Sequence, residues 1–237
     1  ALEGVAWDSE PDWTRYDAAL FGTTWDYWDR HAAFLDTLTA IEALLPLYNP
    51  VEVVRRNSDK RYLAGLPTPP TRFVERFDAT AAAEAFTAFD TDRIVVKRQV
   101  GAGAFGQHLL RPDDPVPPMP HPMLVQPYLP AIATEGEISV IVIDGEVSHA
   151  LRKRPAAGDY RIQSMYGGTN QVHTLSDDER ALVERVAPRE LVYARVDLVR
   201  YRGEPRLMEL ELIEPYLYPD EGPELGPRLA EALARRL

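Results

Sequence analysis

The segment MELELIEPYLY, residues 208–218, alternates glutamate with leucine before it reaches a proline. Alternate side chains of an extended strand share a face, so Glu209 and Glu211 point the same way. A carboxylate buried without a partner is costly. That face is therefore either wet or supplied with a cation. Just upstream, YARVDLVRY and RLMELELIE read as two strands joined across YRGEP. An antiparallel hairpin with a loop of about five residues sets Asp197 opposite Glu209 and Arg195 opposite Glu211, all four side chains on one face. The plain alternative is a solvated face with an ordinary Arg195–Glu211 ion pair. Asp197 against Glu209, however, is unfavourable without a cation. With Glu211 these residues form a hard oxygen site of the kind that Mg²⁺, or Mn²⁺ in its place, occupies beside phosphate oxygens.

A second candidate lies in RIVVKRQVGAGAFGQHLL, where Gly101, Gly103 and Gly106 spell a literal G-x-G-x-x-G. A dinucleotide-binding loop would run straight into a helix, with an acidic residue about twenty positions on. Here the sequel is a short strand and a proline-rich stretch. The glycines instead join two strands, as in a flap whose backbone N–H groups can approach phosphate. Lys97 ends the strand that enters the flap, whereas in a protein kinase the lysine follows on the next strand. A surface hairpin with a solvated lysine is the simpler reading of the loop taken alone.

The surrounding elements are those of an α/β protein. AALFGTT reads as a strand, RHAAFLDTLTAIEALLPL as an amphipathic helix and ALEGVAW as the tail of a helix, so that the opening α/β lobe looks truncated. After it come a short helix at RRNSDKRYLAGL, a helix at ATAAAEAFTAF, the strands EISVIVID and EVSHALRK around an Asp144-Gly145 turn, and a closing helix with Pro227 in its first turn. The divisions fall at 1–57 (N-terminal α/β lobe), 58–126 (small lobe with the flap) and 127–237 (lobe with the acidic hairpin). The chain has 237 residues, 45% apolar, with a formal charge of -11 and no cysteine. That charge disfavours nucleic acid and anionic membranes as partners. Lack of cysteine leaves only oxygen and nitrogen groups for catalysis. No apolar run long enough to span a bilayer and no secretory leader is visible, which makes the cytoplasm the default location. The histidines at 31, 108, 121, 149 and 173 show no metal-ligand spacing.

NSDKRYL, IVVKRQVGAGAFG, VQPYLPAIATEGEISVIVIDGE, GDYRIQSMYGG, YARVDLV and MELELIEP occur in the order and spacing of ATP-grasp ligases. Over roughly residues 55–218 the chain resembles the glutathione-synthetase and ribosomal-protein glutamate-ligase branch. Thr23–Trp28, TTWDYW, is similar to segments of an ATP-grasp group that includes cycloserine-forming enzymes; buried packing is its simpler explanation. The resemblance implies an ATP-grasp fold and ADP-forming ligation of a small-molecule carboxylate to an amine through an acylphosphate. ATP would be held by Lys60 and Lys97, the flap Gly101–Gly106, the hinge residues Gln126, Tyr128 and Leu129, and Glu137 at the ribose. Asp197, Glu209 and Glu211 would hold Mg²⁺, with Glu211 where many members carry asparagine. Lys153 and Arg161 would receive the γ-phosphate and the acceptor carboxylate, where fixed cations offset anion repulsion. Arg152 and Arg154 read as solvated strand ends. A kinase or a non-catalytic nucleotide-binding module could share the same contacts, and a homodimer is compatible with the sequence.

Overall fold

The structure, a computed structural model, describes residues 2–156 and 167–237. Its strands are β1 (Ala19–Leu20), β2 (Leu47–Tyr48), β3 (Arg72–Val74), β4 (Ile94–Arg98), β5 (His108–Leu110), β6 (Met123–Pro127), β7 (Glu137–Ile143), β8 (Glu146–Arg154), β9 (Thr169–Val172), β10 (Tyr193–Tyr201) and β11 (Glu204–Glu211). Its α-helices are α1 (His31–Glu42), α2 (Val51–Asn57), α3 (Ala79–Phe89), α4 (Ala131–Thr134), α5 (Asp177–Val186) and α6 (Leu225–Ala234).

The strands make three sheets. β1 and β2 pair in parallel beside α1, whose Phe34, Leu35, Leu38 and Ile41 fall at helical spacing and bury against Trp7, Tyr27 and Leu47. β3, β6, β4 and β5 form an antiparallel sheet covered by α3, a helix started by Asp78, which accepts the N–H groups of Thr80 and Ala81. The third sheet runs β11-β10-β7-β8-β9, all antiparallel. Its back face, with Val140, Val142, Val196 and Leu198, packs on Leu182, Val183 and Val186 of α5. On its front face Ile141, Leu151 and Tyr193 lie under Leu225 and Ala232 of α6. The remainder of that front face bears charge.

Most expected elements form. The flap joins two antiparallel strands, and Asp144 and Gly145, both with positive φ, make the tight turn between β7 and β8. Three details differ from the sequence reading. Residues 2–6 are irregular rather than the tail of a helix. The sequence reading places no helix at Asp177–Val186, where α5 forms, although Ser176 and Glu179 carry an S-x-x-E capping signature and the Ser176 N–H donates to Glu179 at 3.0 Å. The β10–β11 connection is a two-residue turn at Arg202-Gly203, both at positive φ, instead of a five-residue loop. Asp197 still faces Glu209, because a register shift between Asp197 and Leu198 restores the offset that the shorter turn removes.

β11 is an edge strand whose outward backbone groups are satisfied by side chains from the N-terminal part of the chain. Asn57 donates to the Leu210 carbonyl at 2.8 Å and accepts from the Leu212 N–H at 3.1 Å, while Tyr62 Oη accepts from the Leu210 N–H at 2.8 Å. Asn49 donates to the carbonyls of Leu212 and Tyr193 at 2.8 and 3.0 Å. Asn57→Ala strands two buried backbone groups, each worth about 1–3 kcal/mol when unpaired. The variant should lose roughly 2–4 kcal/mol in urea unfolding, with an unchanged m-value; a loss below about 0.5 kcal/mol, the range of a neutral surface change, would refute the edge-capping role.

Candidate active site

The charged half of the front face is laid out by strand register. Lys153 of β8 stands opposite Glu137 of β7, Ser139 opposite Asp197 of β10, Asp197 opposite Glu209 of β11, and Arg195 opposite Glu211. Alternation puts these side chains on one face while Val196 and Leu198 enter the core behind it. The face is largely dry: Asp197 is 2% exposed, Glu137, Ser139, Lys153 and Arg195 are buried, and Glu209 and Glu211 are partly buried.

Each carboxylate meets a cation of the protein. Arg195 Nη2 lies 2.9 Å from Asp197 Oδ2 and contacts Glu211 Oε1 more closely still. Lys153 Nζ sits 2.7 Å from Glu137 and 3.5 Å from Asp197, and Ser139 Oγ donates to Asp197. From outside the sheet, Lys60 Nζ reaches Glu209 Oε1 at 2.9 Å and donates to the Gly101 carbonyl at 2.6 Å. Lys97 Nζ approaches Met208 Sδ at 3.6 Å. Met208 is the additional residue at the register shift, and it joins Leu129 and Val199 in a small apolar cluster beside the charged face.

Burial and pairing compete for every proton here. Burial pushes the Asp197 carboxyl up, but Arg195 and Lys153 outweigh it and hold the group at about 2. Glu209 is likewise raised by burial and brought below its ordinary value by Lys60 and Lys97. Glu137 stays raised, burial outweighing Lys153. Burial pulls Lys97 down against the attraction of Glu209 and Glu137, whereas the pull of Glu209 leaves Lys60 raised. Burial lifts Glu211 above its ordinary value despite Arg195, with Glu209 and Asp197 adding to the shift. Burial, then Glu211, lift Glu214 to about 8. Acid groups that resist ionisation therefore gather at the β11 end.

Among the described residues no three carboxylate or imidazole groups already converge as a metal cage. The chemistry of the donors nonetheless fits a hard divalent cation: Asp197, Glu209 and Glu211 offer only oxygen from one face, and the acid excess lies at that edge. The remaining expected residues fall nearby, with one exception. Gly101, Gly103 and Gly106 form the flap, Gly103 and Gly106 at positive φ. Gln126 is buried in β6 and donates to Thr71 Oγ1 at 3.0 Å; Tyr128 donates its N–H to the Arg93 carbonyl at 2.9 Å and lies under the Arg93 guanidinium; Leu129 is buried. Glu137 is no exposed strand end but a partner of Lys153. Arg161 lies outside the described residues. Arg154 is exposed as expected, but Arg152 bonds the Glu135 carbonyl and His173.

Residues that the sequence did not single out also shape the site. Ser139 could have been read from its spacing with Glu137; Met208 could not, because a bulge leaves no signature in composition. In TTWDYW, Tyr27 is core, stacked on Phe34, while Trp28 stacks on Phe105 of the flap and Trp25 Nε1 donates to the Glu214 carbonyl at 3.0 Å.

Comparison with known proteins agrees with this geometry. A RimK-like ATP-grasp domain matches residues 107–213, and the N-terminal domain of D-cycloserine synthetase DcsG matches residues 1–49. The cycloserine biosynthesis protein DcsG of Streptomyces lavendulae is 31% identical over 265 residues, covering 97% of this chain and 86% of that protein. The chain belongs to the ATP-grasp family of ligases. The crystal structure of D-cycloserine synthetase DcsG superposes with a TM-score of 0.82 at 27% identity, over 97% of this chain and 87% of that one. A glutathione synthetase from Pseudomonas syringae pv. tomato is 30% identical over 124 residues, 48% of this chain and 37% of that protein. As an ATP-grasp ligase the chain performs ATP-dependent, ADP-forming ligation of a carboxylate to an amine.

The raised Glu214 carboxyl generates a pH test. Its folded value of about 8 exceeds the ordinary 4.5, so between these values the folded chain binds more protons than the unfolded one, and stability falls as pH rises through that window. Glu214→Gln removes the effect. Ligand-free Glu214→Gln should melt with the parent below pH 4.5 and progressively above it toward pH 8; a difference that does not change with pH would show that Glu214 ionises normally.

Proposed function

We propose that this enzyme joins the carboxylate of a small amino-acid-like or peptide substrate to an amine through an acylphosphate, with ATP as phosphoryl donor and Mg²⁺ or Mn²⁺ as the resident cation. One observation carries the reading: Lys60 Nζ lies between the Gly101 carbonyl of the flap and the Glu209 carboxylate, so that a cation, a glycine loop and an acidic hairpin meet at one atom. Likeness of residues 1–49 to the N-terminal domain of D-cycloserine synthetase supports an amino-acid-like substrate. Closure of a ring is the version of this reaction in which carboxylate and amine belong to one molecule.

On this reading residues 1–57 present the substrate, 58–126 carry the flap and 127–237 the acidic hairpin. Lys60 and Lys97 hold phosphate oxygens, and backbone N–H groups between Gly101 and Gly106 close over them. Gln126, Tyr128 and Leu129 bound the adenine, and Glu137 grips the ribose. Asp197, Glu209 and Glu211 would hold the cation, which supplies neutralisation of phosphate charge when bound. Lys153 and Arg161 draw together the transferring group and the acceptor carboxylate. Arg195 fixes Asp197 and Glu211 in place. No side-chain nucleophile is required, since positioning and charge compensation carry the reaction. Dependence on ATP supports a cytoplasmic location. Two copies of the chain could associate as a homodimer without altering these assignments.

With a suitable carboxylic acid, Mg-ATP and hydroxylamine, the enzyme should yield a hydroxamate and ADP; formation of AMP and pyrophosphate would exclude the acylphosphate route, and accumulation of a stable phosphorylated product would identify a kinase. Screening amino acids and dipeptides for stimulated ADP release identifies the acid. Glu209→Gln tests the hairpin. Even residues that only support metal ligands are worth about 10–100-fold in affinity, so half-maximal activity should need roughly tenfold more Mg²⁺ or beyond. A Mg²⁺ curve superimposable on that of the parent would make Glu209 a purely structural partner of Lys60.

A further inference from the structure

Arg98, Trp28 and Phe105 make a contact that holding phosphate does not require. Side chains alternate along β4: Lys97 faces the charged cleft, and Arg98 leaves on the opposite face, the one from which Ile94 and Val96 enter the core under α3. There its stem lies against both ends of the flap. A Cβ placed on Gly101 would come within 3.3 Å of Arg98 Cβ, and one on Gly106 within 3.3 Å of Arg98 Cδ. The Arg98 guanidinium stands 4.6 Å from the centre of the Trp28 ring. Among the described residues its buried Nε has no hydrogen-bond partner, and the ring face takes the place of a polar neighbour. Phe105, in the flap, stacks on the same indole, with ring centres 4.7 Å apart and planes 26° apart, yet is itself 61% exposed. Trp28 is held from behind, since its neighbour Tyr27 is buried and stacked on Phe34 of α1.

We propose that Trp28 is a positioning residue that latches the glycine flap to the N-terminal lobe through Phe105 and Arg98, so that the lobe presenting the substrate also sets how the flap covers the phosphates. The contact stands on this geometry alone; its consequence for turnover rests on the ligase reading above. An indole serves because one ring gives a broad face to the phenyl group and a strong quadrupole to the guanidinium.

Within the flap, the Phe105 N–H donates to the Ala102 carbonyl and the Gln107 N–H to the Ala104 carbonyl, and exchange of these two amides reports how firmly the flap is held in this conformation. In the nucleotide-free protein, Trp28→Ala should speed their exchange by about tenfold, the loss of a stacked pair and a cation–π contact on one ring. Phe105→Ala removes only an exposed ring and cannot unfold the core; its Gln107 amide should also exchange faster at an unchanged Tm. Trp28→Phe keeps the stacking and should restore slow exchange. In turnover, Trp28→Ala should lower kcat and leave nucleotide affinity nearly intact, with recovery in Trp28→Phe. Unchanged exchange in folded Trp28→Ala and Phe105→Ala overturns the latch, whatever the turnover shows. Faster exchange in a protein whose ADP release no carboxylic acid stimulates would keep the latch and remove the ligase reading.

Discussion

A carboxylate shut away from water must be neutralised where it stands, and Asp197 imposes that demand on everything around it. Its position on β10 is fixed by the core, because Val196 and Leu198 on either side belong to the apolar layer against α5. The side chain is almost closed off from solvent. Arg195, Lys153 and Ser139 answer from the neighbouring positions of three strands. Removing one partner from such a group is more damaging than never having buried it, because the remaining charge is stranded. The front of the sheet therefore behaves as one interdependent set rather than as separate ion pairs.

The same set is poised rather than saturated. Glu209 shares its cation with the flap carbonyl of Gly101, and Glu211 and Glu214 retain protons more firmly than free glutamates. A lysine that bridges the flap and the acidic strand is well suited to exchange one partner for a phosphate oxygen, because phosphate offers charge where the carbonyl offers only a dipole. On the proposed reading the acidic edge receives a cation, and Lys60 and Lys97 receive phosphate.

Much of this was legible from residue order. The alternation of Glu209 and Glu211, the flanking strands and the flap each carry a pattern that the backbone must obey, whereas the roles of Lys60 and Lys97 came from the resemblance to ATP-grasp ligases. The pairing of Asp197 with Glu209 was anticipated with a loop of the wrong length: a tight turn and a bulge together give the same offset, and neither turn length nor bulge alone is fixed by composition. Helix α5 carries its capping signature in Ser176 and Glu179. What could not be read was partnership across distance. Nothing near Trp28 in the sequence indicates that it meets Phe105, and nothing near Asn57 indicates Leu210. Such contacts arise from the closing of lobes, which a local pattern does not encode.

The capped edge of β11 also has a meaning in time. Asn49 and Asn57 bond partners 163 and 153 residues further along the chain. At a synthesis rate of about 5–20 residues per second, these amides leave the ribosome on the order of ten seconds or more before the strand they serve. Through that interval their partners do not yet exist. The strand that carries Glu209 and Glu211 thus also supplies what Asn49 and Asn57 lack until it is made.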